Sequence, residues 1–342
     1  MSTENQPARH RVTLTGISSR AWEHPADRGA LTALRELRGF DDVVKAFFGM
    51  WNERAFRLAF LANAIRVDHR QYPRVYQRFT EAAATLDVAE LPDLFVAQAP
   101  IINGQAIGMD KPFIVITTAA VEKFDDDELR ALLGHEIGHV RSGHAVYKTI
   151  MRILTDWLAN ISWLPVGSLA LRAISAGLRE WWRKAELSAD RAGLLATQNP
   201  AAATRVHMKL ASGGHLADLD ATSFFAQGNE YSETEDFRDS VLKVFLVENQ
   251  SHPFAVVRAA ELRRWTESGE YTAILGGSYP RREDDATAPV SAAAQEAAAS
   301  YGETFQRTQD ALGSLMHEAA GWMGQARMWL DERFRPQQPP AE

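Results

Sequence analysis

Between Pro25 and Ala84 apolar side chains return every three or four positions: Leu31, Leu34 and Leu37, then Val43, Val44, Phe47, Phe48 and Trp51, then Phe56, Phe60 and Leu61. Arginines fill the intervening faces, so the spacing predicts amphipathic helices, with Gly39 separating two of them. The pattern then shortens. Leu94-Phe95-Val96-Ala97, Ile101-Ile102 and Phe113-Ile114-Val115-Ile116-Thr117 are compact, β-branched runs bounded by Pro92, Pro100, Gly104, Gly108 and Pro112, which favours short strands. Helical spacing resumes at Asp125, where Glu128 completes a capping box and further acids fill the first turn. This helix is expected to pass Leu133 and His139 towards Tyr147. A second long helix covers about Arg179 to Thr197 and stops before Asn199-Pro200, since the residue before proline disfavours helical backbone. Pro200 starts another, ended by Gly213-Gly214. Ser232 and Glu235 frame a further capping box, and Pro253 suits the first position of a helix reaching about Glu267.

The chain ends change this picture. Met1 to about Ser19 is polar with no apolar run of a signal peptide. Residues 1–24 are therefore expected to be a flexible arm, with a single domain over 25–275. Residues 276–299, rich in Ala, Asp and Ser, read as a linker or weak helix. Residues 300–342 read as an amphipathic helix carrying Phe305, Leu312, Leu315, Trp322 and Trp329, followed by a disordered proline-containing tail. The stripe over 301–334 suits packing on its own domain or docking of a partner. Residues 157–178 are the most apolar stretch, but Asn160, Pro165, Ser168 and Arg172 interrupt it. A helical hairpin turning near Pro165 explains it, and a loop touching the membrane surface is the second reading. The expected location is cytoplasmic, with peripheral membrane contact through 157–178.

Composition narrows the chemistry. The 342 residues carry a formal net charge of −7, which offers no global positive field for nucleic acid. Cysteine is absent, so any metal must be held by imidazoles and carboxylates. The segment Leu133-Gly134-His135-Glu136-Ile137-Gly138-His139 meets that requirement. Four helical residues rotate about 400°, which places the two imidazoles about 40° apart on one face. Both reach one ion, and histidines without thiolates suit catalytic zinc with a position left for water. Glu136 sits about 100° from His135, beside the metal, where a general base belongs. The plain alternative is two surface histidines sharing a face.

A third ligand is needed. Position 145 is Ala145, so a histidine six residues after His139 is missing, and His144 is rotated about 140° from His139 on a continuous helix. His144 is expected to pack or cap. Glu186 and Asp190 in Lys184-Ala185-Glu186-Leu187-Ser188-Ala189-Asp190 are one turn apart among apolar flanks. Glu186 could bind metal while Asp190 orients a ligand imidazole, or the pair could be a solvated face.

At these residues the chain resembles the HtpX, Oma and CAAX prenyl endopeptidase family of zinc metallopeptidases, among the gluzincins. Four blocks carry the resemblance, over roughly residues 70–268. Asn103-Gly104-Gln105-Ala106 with Gly108 is similar to the family's edge-strand segment, with Gly104 and Gln105 departing from its usual residues. Ile116-Thr117-Thr118 leads into Asp126-Asp127-Glu128-Leu129, His135 to His139 and His144. Glu186 to Asp190 matches the Glu-x-x-x-Asp block, and Ser251-His252-Pro253 with Arg258 the last. The resemblance implies one zinc ion on His135, His139 and Glu186, with Asp190 behind a ligand. It also implies that His252 faces the site as a donor to the developing oxyanion. Arg258 is expected to tie its helix to an acid such as Asp190.

The resulting expectation is an α+β, predominantly helical protein: a zincin-like metallopeptidase domain with a small edge-exposed sheet and a C-terminal helical appendage. Glu136 would activate water against a peptide bond of an unfolded or flexible protein segment. Substrate would lie extended along Asn103, Gly104 and Ala106, paired through its backbone. The alternatives are a chaperone-like or scaffold protein with a structural zinc site, and a hydrolase of non-peptide amides. Clear spanning helices of membrane-embedded members have no counterpart here, so a prenylated substrate does not follow.

Overall fold

The structure is a computed structural model that describes residues 11–37, 40–50, 53–160, 168–233, 254–289, 291–303 and 305. Its centre is the helix that the capping box starts. Asp125 Oδ1 accepts from the Glu128 amide and Glu128 Oε2 from the Asp125 amide, which fixes the first turn of α6 (Asp126–Arg141). This helix is buried from Glu128 through His139, so it must be enclosed on every side. In chain order the helices before it are α1 (Pro25–Arg35), α2 (Phe40–Met50), α3 (Glu53–Asn63), α4 (Pro73–Thr85) and α5 (Thr118–Lys123). After it come α7 (His144–Asn160), α8 (Ser168–Thr197), α9 (Pro200–Ser212), α10 (Ala221–Glu233), α11 (Ala255–Glu267) and α12 (Glu270–Leu275).

A four-stranded sheet lies against α6, in the order β1 (Ile65–Arg66), β2 (Leu94–Ala97), β4 (Phe113–Thr117), β3 (Gly104–Ile107). Strands β2 and β4 run parallel, with Phe95 opposite Val115, and β3 pairs antiparallel with β4, with Gly104 opposite Ile116. Alternation sorts the side chains by face. Leu94, Val96, Ile114 and Ile116 join Phe79, Leu129, Leu133 and Leu195 in the main core, while Phe95, Phe113, Val115 and Ile107 pack under Phe56 and Phe60 of α3. A second core, with Leu34, Ile150, Leu154, Leu178 and Trp181, joins α1, α7 and α8.

The glycines of the motif are explained by α8. A Cβ on Gly134 would fall 2.2 Å from Ala196 Cβ, and one on Gly138 2.5 Å from Ala192 Cβ. The two helices touch backbone to backbone there, which brings residues of α8 close to the imidazoles.

Several expectations need correction. Residues 11–24 are not an arm: Leu14, Ile17 and Trp22 are fully buried, and Ile17 forms a bridge with Arg281. Residues 276–289 are not a loose linker, since Ser18 Oγ and Arg20 Nε both donate to Asp285 and Arg282 pairs with Asp87. Residues 292–303 are helical, with Ala294 buried and Ala297 against Gly29. Ile101-Ile102 is loop, with Ile101 exposed, and the strand starts at Gly104 instead. The motif helix does not run on to Tyr147: Gly143 adopts φ +72°, and the chain changes direction before α7. The hairpin turn near Pro165, the Ser232–Glu235 box and nearly all of the 301–334 stripe lie outside the described residues, although Phe305 is buried against the second core. Among the described residues no helix is long and apolar enough to cross a membrane.

Candidate metal centre

His135 and His139 share one face of α6, and their Nε2 atoms lie 3.0 Å apart. The outer nitrogen of each ring is occupied. His135 Nδ1 donates to Asp190 Oδ1 at 3.0 Å. His139 Nδ1 lies 3.0 Å from His144 Nδ1, and His144 Nε2 donates to Asp27 Oδ2 at 2.9 Å. Because a carboxylate only accepts, these contacts assign the tautomers. His144 carries its proton on Nε2 and accepts from His139 Nδ1. Both His135 and His139 then present a bare Nε2 lone pair inward.

Glu186 reaches the same point from α8. Its Oε2 is 3.6 Å from His135 Nε2 and its Oε1 3.4 Å from His139 Nε2. The three side chains are buried and offer ligand atoms within 4.8 Å of one another; Glu186 Oε1 has no hydrogen-bond partner, while Oε2 is ion-paired with Arg258. Two bare imidazole nitrogens beside a carboxylate with one oxygen free of hydrogen bonds is a donor set that a divalent cation completes. The residues therefore fit the metal that their types suggest.

The surrounding charge is arranged around these acids. Arg258 of α11 holds Asp190 through two hydrogen bonds of 2.7 and 2.5 Å, and its Nη1 lies 2.7 Å from Glu186 Oε2. Burial alone would raise both acids, but the Arg258 charge outweighs it and keeps Glu186 and Asp190 well below the usual carboxylate range. His135 is raised: burial opposes its charged form, and the Asp190 hydrogen bond with the charges of Glu186, Asp190 and Glu136 prevails. His139 stays low because burial dominates.

Glu136 differs from the other acids. Its Oε1 is 4.0 Å from His135 Nε2, Oε2 has no partner, and burial raises its pKa. It lies under the edge strand: a Cβ on Gly104 would fall 2.6 Å from Glu136 Oε1. A side chain at this position would have to displace the Glu136 carboxylate, which gives the glycine there a physical reason. The pocket beside it is lined by Asn103, Gly104, His135, Glu136, His207 and Arg258, together with apolar residues of α6, α8, α9 and α11. Ala106 is buried further along β3. His252 lies outside the described residues.

Three contributors were not legible beforehand. A continuous helix would carry His144 about 140° away from His139; the break at Gly143 returns it to His139, and glycine as a helix stop is the local signal for it. Asp27, from a segment more than a hundred residues earlier, has no local signature. Trp182 stacks on His139 with ring centroids 4.7 Å apart and carries Lys148 Nζ on its ring at 4.1 Å.

Residues 69–266, more than half of the chain, match the model of Peptidase family M48. The chain belongs to this family. Among M48 relatives, plastoglobule-localized metallopeptidase 48, chloroplastic, of Arabidopsis thaliana is 35% identical over 262 residues, 74% of each chain. The Protease HtpX homolog of Helicobacter pylori is 40% identical over 52 residues, 15% of this chain and 17% of that protein. Protease HtpX of Xanthomonas euvesicatoria is 30% identical over 95 residues, 27% of this chain and 32% of that protein. No solved structure matches the chain. The resemblance carried by the four sequence blocks is thereby borne out, and the chain is a metallopeptidase by family. All of the residues above except Asp27 fall within the M48 match.

Proposed function

We propose that this M48 member is a zinc-dependent endopeptidase acting on extended protein segments, with Glu136 as its general base. One observation carries the reading: two bare imidazole nitrogens and a carboxylate with one oxygen free of hydrogen bonds converge, buried, beside a second carboxylate of raised pKa under a sheet edge that pairs with no strand among the described residues. His135, His139 and Glu186 would hold the zinc ion. When bound, zinc supplies Lewis-acid polarisation of the scissile carbonyl and makes water more acidic.

The remaining work falls to the chain. Asp190 and His144 hold the two imidazoles with Nε2 inward, so no ring has to reorient on binding. Glu136 removes the proton from the attacking water and delivers it to the leaving amine, a task that its burial favours by bringing its pKa towards neutrality. One edge of β3 pairs with β4 while its other edge pairs with no strand among the described residues, so a substrate backbone can add there. Pairing through the main chain reads little sequence, which suits unfolded or flexible segments.

The test is metal analysis together with casein digestion. Wild type is expected to hold about one zinc per chain and to cleave casein. Glu136→Gln removes the base while leaving the ligands, and should keep zinc but lose at least about a hundredfold of the rate. Zinc-loaded wild type that cleaves no unfolded protein would favour the scaffold reading instead.

A further inference from the structure

A second pocket opens along the same edge strand, away from Glu136. It is formed by Gln105, Ala106 and Ile107 of β3, Phe56 of α3, and Lys148 and Arg152 of α7, and encloses about 70 Å³ open to water. Lys148 and Arg152 are one helical turn apart on the same face, an arrangement that costs stability between like charges unless an anion joins them. No residue lining this pocket carries a carboxylate.

The two cations lack the partners that arginines have elsewhere in the molecule. Arg130 is bound to Glu81 and Asp127, Arg205 to Glu128 and Asp125, and Arg57 to Asp93. By contrast, the Lys148 ammonium makes no close ion pair among the described residues: it lies on the Trp182 ring and feels Glu136 and Glu186 at longer range, and Arg152 reaches Gln105 Oε1 at 3.4 Å. In a chain of net charge −7, two cations with no close acid among the described residues stand out on one strand-flanking wall. The wall also has a fixed distance from the chemistry. Gly104 touches Glu136, and strand residues advance about 3.3 Å each, so Gln105 to Ile107 serve positions about one to three residues from the scissile bond.

We propose that this pocket is a substrate subsite that takes a carboxylate, with Lys148 as its counter-cation and Arg152 at its rim. The proposal rests on the peptidase reading for the substrate's path along β3. The carboxylate belongs either to an acidic side chain within the segment or to a free carboxyl terminus.

Two sets of peptides separate these sources. In one, Glu or Gln occupies each of the first three positions on either side of the cleaved bond. In the other, the chain ends at those positions as carboxylate or as amide. Both kcat/KM in the zinc-loaded enzyme and affinity for the Glu136→Gln protein are measured. At one position the carboxylate should be preferred over its amide by about tenfold, the scale of one charge-assisted hydrogen bond. Preference in the first set identifies a side chain, and in the second set alone a terminus. Lys148→Met should bring the ratio to about one, Lys148→Arg should retain it, and the exposed Arg152→Gln, which leaves the fold undisturbed, should reduce it. Equal handling of acid and amide in both sets, or a ratio unmoved by Lys148→Met and Arg152→Gln, overturns the subsite. Casein cleavage without preference removes the subsite and spares the peptidase reading; preferential binding without any cleavage does the reverse.

Discussion

His139 is held by a relay that begins outside the motif. Asp27 is buried and accepts three hydrogen bonds, from His144 Nε2 at 2.9 Å, Ser188 Oγ at 2.6 Å and Trp181 Nε1 at 2.8 Å. Burial would raise its pKa, but His144 and the other two donors keep it low. With both oxygens engaged, Asp27→Asn turns an NH2 towards at least one of the three donors and loosens this network around the His144 ring. His139 would then lose the partner that fixes its tautomer. Removing such an outer partner typically weakens metal affinity by about 10–100-fold. Competition for zinc against a chelator should show a loss in that range with the helical content preserved. Unchanged affinity would mean that His144 merely packs.

At the scale of elements, α6 and α8 form one unit because both surrender side chains at their contact. Gly138→Ala would raise helix propensity by up to about 1 kcal/mol. Its new methyl, however, would sit 2.5 Å from Ala192 Cβ, and forcing such a contact typically costs about 1–3 kcal/mol. A lower urea midpoint is expected for Gly138→Ala, with recovery in the double variant Gly138→Ala, Ala192→Gly. A single variant as stable as wild type would show that the helices can part freely. These contacts also explain what the sequence could disclose. The capping box, the imidazole spacing and the period-two runs are local patterns, so α6, β2 and β4 were readable from a few neighbouring residues. Singling out Glu186 as a candidate ligand needed the ordered blocks, because an acid pair on a helix has no local mark. The β-branched pattern alone marks Ile101-Ile102 as a strand, and the edge strand over Gly104–Ile107 is legible only through the resemblance of Asn103 to Gly108, because Gly104, Gln105 and Ala106 are poor strand formers held by pairing with β4. His144 was lost to the assumption of an unbroken helix, which Gly143 ends.

For the molecule as a whole, the N-terminal flank closes onto the domain beside the relay. Trp22 Nε1 donates to Ser142 Oγ at 3.0 Å, at the end of the motif helix, and the His24 amide donates to Ser188 Oγ at 2.8 Å. His24 then caps α1, its Nδ1 accepting from the Ala26 amide at 3.1 Å, which requires a neutral ring. Burial, reinforced by the charges of Arg191 and Lys184, brings its pKa down to about 3 from 6.5. The unfolded chain therefore binds a proton that the folded chain refuses. Stability from this residue is complete above about pH 6.5 and drains as pH falls towards about 3, by up to about 1.4 kcal/mol per unit. His207 shifts in the same sense, to about 4, so comparison with a variant is needed to isolate His24. His24→Asn retains a capping acceptor but no titrating group. Urea denaturation from pH 7 to 4.5 should show wild type losing ground to His24→Asn steadily below pH 6.5. A stability difference that stays constant across that range would mean that His24 is as readily protonated in the folded protein as in the unfolded chain.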